Sequence, residues 1–283
     1  MYTIKAVAEA TGIPPATLRA WERRYAVVRP PRSPTGYRLY DESLIQDLRV
    51  MRELVAVGHP ASEAARIVAG RRQDVAAASP SPPISELIAA ARSADPAVIS
   101  AAVAAGLAAP LPVAVSGWLV PALTAVGEGW VDGTVGIATE HLISHAIHRA
   151  LATRLHRYTA TARAAPVLVG LPSGSHHELG ALAFAALAAR DALPVRYLGA
   201  DLPAAAWVQC ARQTRAAAAV IAVPTHVDVA TTRRTTKALA SVPAIRVFAG
   251  GAYQDDICET ATPLGHDIVT AVSVLRARLE SRP

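Results

Sequence analysis

A histidine sits where an apolar strand gives way to a helix. The run Leu168-Val169-Gly170-Leu171-Pro172 is β-rich, Ser173-Gly174-Ser175 reads as a turn, and after His176-His177-Glu178 an alanine-rich helical stretch begins near Gly180. A neutral imidazole held on such a turn is a natural axial ligand for a large metallo-cofactor. Read alone, the same His177 would equally cap the helix or sit satisfied at a domain edge. A second set, His141, His145 and His148, recurs at steps of four and three on one helical face, which is also zinc or haem spacing. No cysteine or paired carboxylate completes it, so partly buried polar contacts or an interface are expected there instead.

The other concentration of chemistry is cationic. From Met1 to Tyr40, Lys5, Arg19, Arg23, Arg24, Arg29, Arg32 and Arg38 face only two acids, Glu9 and Glu22. Arginine matches phosphate with a planar fork, and the chain uses it almost exclusively: Lys5 and Lys237 are its only lysines. The excess suits DNA contact by Arg19, Arg23 and Arg24, with Arg29, Arg32 and Arg38 following in a Pro/Gly-rich loop. A codon bias toward Ala and Arg would also raise the arginine count.

These residues need elements to hold them. Thr3 caps a first helix with Ile4, Val7 and Ala8 inward, Gly12 breaks it, and Pro14-Pro15 open a second helix with Thr17, Leu18, Trp21 and Tyr25 at three- and four-residue steps. Two short helices on a glycine turn make a helix-turn-helix, with Trp21 in its core. Residues 1–72 form this block, and 73–83, rich in Ala, Ser and Pro, read as a linker. Over 84–158 apolar positions recur at helical spacing, which predicts a four-helix bundle. From 166 to 283 short β-rich runs at Val167-Leu168-Val169, Val195-Arg196-Tyr197, Val220-Ile221-Ala222-Val223 and Ile245-Arg246-Val247-Phe248 alternate with helical stretches. That rhythm predicts a doubly wound, flavodoxin- or Rossmann-like parallel sheet, with ligands beyond the carboxyl ends of its strands. The fold class is therefore multidomain, α and α/β.

Composition narrows the function. The 283 residues carry a net charge of +6, a pI of about 9.7 and 52% hydrophobic residues, with few aromatics, so alanine and valine build the cores and an acidic partner is favoured. Cys210 and Cys258 cannot form a disulfide framework and neither suits a nucleophile, which points to a reducing cytoplasm. Met1-Tyr2-Thr3-Ile4-Lys5 lacks the apolar core of a secretory signal. From Ala97 to Gly127 no side chain is charged, but Gly106, Pro110, Pro112, Gly117 and Pro121 interrupt the stretch, so buried helices joined by a proline turn are expected and not a membrane span.

The first 70 or so residues closely resemble the MerR family of winged-helix regulators, through Thr17-Leu18-Arg19-Ala20-Trp21-Glu22-Arg23-Arg24-Tyr25 and Arg32-Ser33-Pro34-Thr35-Gly36-Tyr37-Arg38-Leu39-Tyr40. The resemblance implies a winged helix-turn-helix whose second helix enters the major groove, with base-proximal contact by Thr17 and Arg19 and phosphate contact by Tyr37 and Arg38. It also implies a dimer, or a larger oligomer, on a pseudo-palindromic double-stranded DNA operator.

The Ser175-His176-His177-Glu178-Leu179-Gly180 loop resembles the D-x-H-x-x-G loop of cobalamin-binding domains. This implies His177 as the lower axial ligand of cobalt and Gly180 as a close-approach position, with Ser175 standing where the family has an acid. Further along, Gly250-Gly251 arrive as in the family, whereas Ala222-Val223-Pro224 replace a serine that contacts the nucleotide tail; Thr225 offers the nearest hydroxyl. In the bundle, Trp130 is followed by nine residues and then Glu140-His141. This resembles the W-x(9)-E-H signature of MerR-type photoreceptor repressors of the CarH kind, which implies adenosylcobalamin. An indole gives a flat apolar cover, and a carboxylate and imidazole can hydrogen-bond a ribose or adenine edge. Those repressors carry, directly after the tryptophan, a histidine that captures cobalt once the adenosyl group has left; here Val131 stands there. The expectation is a non-enzymatic, light-responsive repressor. The alternative is a MerR-type regulator whose cobalamin module only oligomerises or binds a partner without cofactor.

Overall fold

Thr3 and Gly12 bracket the first helix of the computed structural model, which describes residues 1–27, 30–31, 38–56, 58–77, 81–158 and 165–280. The Thr3 hydroxyl accepts the Ala6 N–H at 3.4 Å and Gly12 turns left-handed at φ +67°, so α1 (Ile4–Thr11) stops after two turns. The next helix, α2 (Pro15–Tyr25), opens on a proline whose missing N–H costs nothing at that position. Val7, Leu18 and Trp21 pack with Tyr40, Leu48 and Met51 in one core, so Trp21 is the core residue its spacing suggested. Tyr2 bridges Tyr40 in antiparallel fashion, and α3 (Glu42–Ala56) and α4 (Ala61–Ala77) follow. Arg52 Nη1 donates to the Thr11 carbonyl at 2.6 Å, satisfying an acceptor that the end of α1 leaves open. Because alanine favours helix, α4 runs to Ala77, so the expected linker is helical over its first residues.

Met1–Ala77 and Ala78–Arg276 belong to separate compact units. The second unit begins with four helical rods: α5 (Ile84–Arg92), α6 (Pro96–Gly106), α7 (Leu111–Ala114) continuing through a π-helical turn (Val115–Leu119) into α8 (Val120–Val131), and α9 (Ile137–Tyr158). Asp95 caps α6 by accepting the Ala97 N–H at 2.8 Å. A Cβ on Gly106 would lie 2.0 Å from the Trp118 ring, so the fully buried indole of the π turn requires a glycine opposite it. Among the described residues, Leu111–Val131 is one helix long and apolar enough to cross a membrane by length and composition. Leu111, Val115, Trp118, Ala122 and Val126 make a buried stripe along it, and Val113, Ala114 and Leu119 are buried as well, as in the core helix of a bundle.

The sheet order is β2-β1-β3-β4-β5, all parallel, which is the flavodoxin-type winding. Its elements are β1 (Val167–Pro172), α10 (Leu179–Arg190), β2 (Val195–Leu202), α11 (Ala204–Thr214), β3 (Ala218–Ala222), α12 (Val229–Leu239), β4 (Arg246–Gly250), β5 (Thr262–Pro263) and α13 (Ile268–Glu280). Leu168, Ala219 and Ile221 pack with Trp207, Ala211 and Leu239 of α11 and α12, while Val169 and Val220 point to the opposite face. On that face α10 packs along α9 and joins the sheet to the bundle. The switch point of the winding lies between β1 and β3, so the loop leaving β1 opens onto the crevice where such folds bind ligands.

Candidate functional site

The loop after β1 is built by short-range turns and by residues of β2. Ser175 N donates to the Pro172 carbonyl at 3.1 Å, and Gly174 takes φ +82°. Asp201, at φ +54° near the end of β2, accepts the Gly174 N–H at 2.7 Å and the Ser173 hydroxyl at 3.3 Å, while its own N–H donates to the Ser175 carbonyl at 3.0 Å. The Gly174 amide is the main reason the Asp201 carboxyl is held below the usual carboxylate range, with Ser173 and the nearby His176 adding to it. On the far side of the histidines, Glu178 accepts the Tyr197 hydroxyl at 2.7 Å, and its other oxygen lies 3.4 Å from His148 Nε2 of α9. Burial, and then Glu178, push the Tyr197 phenol well above its ordinary range, so it remains a donor.

His177, exposed between these two anchors, lines a cavity of about 370 Å³ at the carboxyl edge of the sheet. Val169, Phe184, Val220, Ala222 and Leu264 make it apolar; Gly180, Gly250 and Gly251 also line it. A Cβ at Gly180 or Gly250 would meet nothing within 4 Å, so both leave room on the cavity side. Gly251 serves differently: its φ is +103° and a Cβ would stand 2.7 Å from the Val223 carbonyl oxygen. Ser175 is buried with no partner for its hydroxyl, two residues before His177. Thr225 does not line the cavity. Its hydroxyl and N–H both donate to Asp228 Oδ2, in a capping box ahead of α12, and Ala222 and Pro224 face the cavity in its place.

Trp130 lies at the end of α8 and Glu140 and His141 on the first turns of α9, with residues 132–136 turning one helix into the next. Trp130 is 56% exposed and Val131 79%. Thr134 donates its hydroxyl and N–H to Asp132, which holds that carboxyl below its usual range and shapes the turn. Glu140 accepts the Ser144 hydroxyl. The His141 and His145 rings are 6.4 Å apart, and among the described residues no group of three His, Cys, Asp or Glu is placed to hold a metal ion. His148 instead makes the polar contact to Glu178, about 10 Å further along the helix from His141 at 1.5 Å per residue.

In the first unit Arg19, Arg23 and Arg24 are exposed on α2 and Thr17 is half-buried. Arg38 donates from Nε to Glu22 Oε2 at 2.7 Å, a bond that raises its already high pKa. Arg32 and Tyr37 lie outside the described residues. Sequence reasoning did not single out Asp201, Tyr197 or Glu178 as functional. It also missed His266, which lines the cavity with Nε2 3.0 Å from Asp255 and Nδ1 3.2 Å from Gln254 Nε2. Gln254 Oε1 accepts the Leu264 and Gly265 N–H groups, so its Nε2 donates to His266 Nδ1 and the other ring nitrogen carries the proton toward Asp255.

Two segments of the chain match known protein families. A profile described as "MerR HTH family regulatory protein" matches residues 2–71, and one described as "B12 binding domain" matches residues 84–155, the helical bundle. The chain is 33% identical over 216 residues to the HTH-type transcriptional repressor CarH of Myxococcus xanthus, covering 72% of each chain. It is 33% identical over 208 residues to the repressor CarA of the same organism, covering 72% of this chain and 69% of CarA. Among solved structures, the monomethylamine corrinoid protein of Methanosarcina barkeri shares the fold at a TM-score of 0.55 and 14% identity, over 67% of this chain and 94% of that one. The curated relatives are transcriptional regulators and not enzymes, and the chain belongs to their family of MerR-type DNA-binding regulators with a B12-binding domain.

Proposed function

We propose that this chain is a cobalamin-dependent, light-responsive repressor, working in the cytoplasm, whose loaded form assembles as a dimer or tetramer on a pseudo-palindromic operator. The observation that carries this reading is the exposed His177 imidazole at the mouth of an apolar cavity at the switch point of the sheet. The residues present fit a corrinoid: the buried Ser175 hydroxyl lacks a partner, and Gly180 and Gly250 leave open the surface that a bulky ring system needs.

In this reading 1–72 bind DNA, 73–83 link, 84–158 cap the cofactor and 166–283 hold it. His177 would hold the cobalt, Ser175 would orient its ring, and Gly251 would shape the tail side, where Ala222 and Pro224 line the cavity in place of Thr225. Trp130 covers the upper side, where Glu140 and His141 hydrogen-bond an adenosyl group, which makes adenosylcobalamin the form bound. When bound, the cofactor supplies a light-cleavable cobalt–carbon bond; the protein supplies geometry and an interface with two states. Thr17 and Arg19 approach base edges, while Arg23, Arg24, Arg32, Tyr37 and Arg38 hold phosphates.

Purified protein reconstituted with adenosylcobalamin in darkness, gel-filtered, and examined by visible spectroscopy before and after green light tests the reading. A coloured, larger species that changes both spectrum and size on illumination is expected. A colourless protein fraction would favour the second reading, a module that only oligomerises or binds a partner. Ser175, Ala222 and Val131, each lacking the side chain the resembled proteins have, are what speak for it.

A further inference from the structure

The loop that carries His177 is fastened at two places, and the histidine lies between them. Upstream, Asp201 holds Ser173, Gly174 and Ser175 through three hydrogen bonds. Downstream, the next residue after His177 is Glu178, whose carboxylate accepts the Tyr197 hydroxyl at 2.7 Å and faces His148 Nε2 at 3.4 Å. Both Asp201 and Tyr197 belong to β2, which pairs in parallel with β1, its register shifting between Val169 and Gly170 and again between Gly170 and Pro172. Only His176 and His177 are left between the two fastenings, with the Glu178 N–H donating to the His176 carbonyl at 2.9 Å.

The geometry points to Glu178 as the residue that positions His177 for cobalt and ties the ligand loop to helix α9. This role rests on the reading of His177 as the cobalt ligand. Ser175 is too short to reach a second strand and its hydroxyl has no partner, so the carboxylate that fixes this part of the loop enters from the other side of the histidine. Glu178 suits the task because it reaches a strand on one side and a bundle helix on the other. The Tyr197 phenol is held in its protonated form and is therefore a permanent donor to it. A side chain so placed restricts the backbone from which the imidazole projects, and any shift of His177 toward the metal must be accommodated at the Glu178–His148 contact. Glu178 itself does not touch the metal; it acts through its neighbour.

Full-length wild type, Glu178→Ala, Glu178→Gln and Tyr197→Phe are titrated with adenosylcobalamin in darkness and followed by visible spectroscopy. Amide hydrogen exchange of residues 173–180 is measured on the same proteins before cofactor is added. Glu178→Ala and Tyr197→Phe should bind cobalamin about 10- to 100-fold more weakly. Their bound fraction should turn from the red, imidazole-coordinated spectrum toward the yellow of cobalt lacking a lower nitrogen ligand. Their loop amides should exchange faster. Glu178→Gln keeps an oxygen that accepts from Tyr197 and should restore the red spectrum; should Glu178→Ala not fold, Tyr197→Phe carries the test. Wild-type affinity and a red spectrum in Tyr197→Phe and Glu178→Ala alike would overturn this role while leaving the cofactor reading intact. Wild-type protein that takes up no cobalamin would overturn both.

Discussion

The carboxylate of Asp201 accepts the backbone N–H of Gly174 at 2.7 Å, across the gap between the end of β2 and the turn that leads to His177. That amide holds the acid below its ordinary range, so the bond has a definite pH dependence. A carboxyl with a lowered folded-state pKa contributes stability that is complete above its unfolded value and is lost as pH falls through the folded one. The Gly174 amide shift, followed by NMR, should therefore stay constant through neutral and mildly acid pH and move only below the titration range of a free aspartate. A titration at or above that range would contradict the bond. Asp201→Asn should flatten the transition and weaken cobalamin retention roughly tenfold.

Gly250 and Gly251 are adjacent and should fail in different ways. Alanine at 251 must take φ +103° and place its Cβ 2.7 Å from a carbonyl oxygen, so strain of roughly 1–3 kcal/mol is expected before any repacking. For a unit of this size that lowers Tm by about 2–4 °C per kcal/mol. Alanine at 250 meets open space, so its Tm should hold within a degree or so while cofactor affinity falls because a methyl group enters the cavity. Thermal melts of both variants without cofactor, paired with cobalamin titrations, separate fold from fit. Equal Tm losses would count against this assignment.

How far these features can be read from the sequence depends on how local they are. Thr3, Gly12 and Pro15 set helix ends from within a few residues, and the strand before His177 announces itself by an apolar run closed by Pro172 and Gly174. The two-residue β5 has no such signature, because it exists only through pairing with Phe248 and Ala249 on β4. Asp201 and Tyr197 reach the ligand loop across 19 to 28 positions, which no spacing pattern records. Thr225-x-x-Asp228 has capping-box spacing, so the claim of Asp228 on the Thr225 hydroxyl is legible locally and leaves that hydroxyl engaged within the cap. The π turn at Val115–Leu119 carries Trp118, which packs over Gly106, a contact between two helices that periodicity alone leaves unseen.

Arg38 is pre-positioned by Glu22, and the pairing separates affinity from geometry. The pair is partly exposed, so it contributes little stability, on the order of 0–1 kcal/mol, and Glu22→Gln should leave folding unchanged. Arg38→Ala should weaken DNA binding across all sequences and reduce the slope of log affinity against log salt by about 0.9, the loss of one phosphate contact. Fluorescence anisotropy with operator and unrelated duplexes over a salt series measures both. An unchanged slope would remove Arg38 from the phosphate contacts, and loss confined to the operator would make it a base reader instead.

Val131 is 79% exposed and directly follows Trp130 at the end of α8, where the resembled photoreceptors carry a cobalt-capturing histidine. Under the proposed light-responsive reading, a valine offers no lone pair, so after illumination this position would give cobalt no protein ligand, and the protein should lose corrinoid on gel filtration. Val131→His adds an imidazole at a surface-exposed helix end, where the cost in stability is within about 0.5 kcal/mol. The variant should retain colour after green light, with a spectrum of cobalt held by two imidazoles, and His177→Ala combined with it should lose the second of them. If wild type and Val131→His give the same stable product, another histidine of α9 supplies the upper ligand. His141 and His145, exposed on the first turns of that helix, are then the residues to replace in turn.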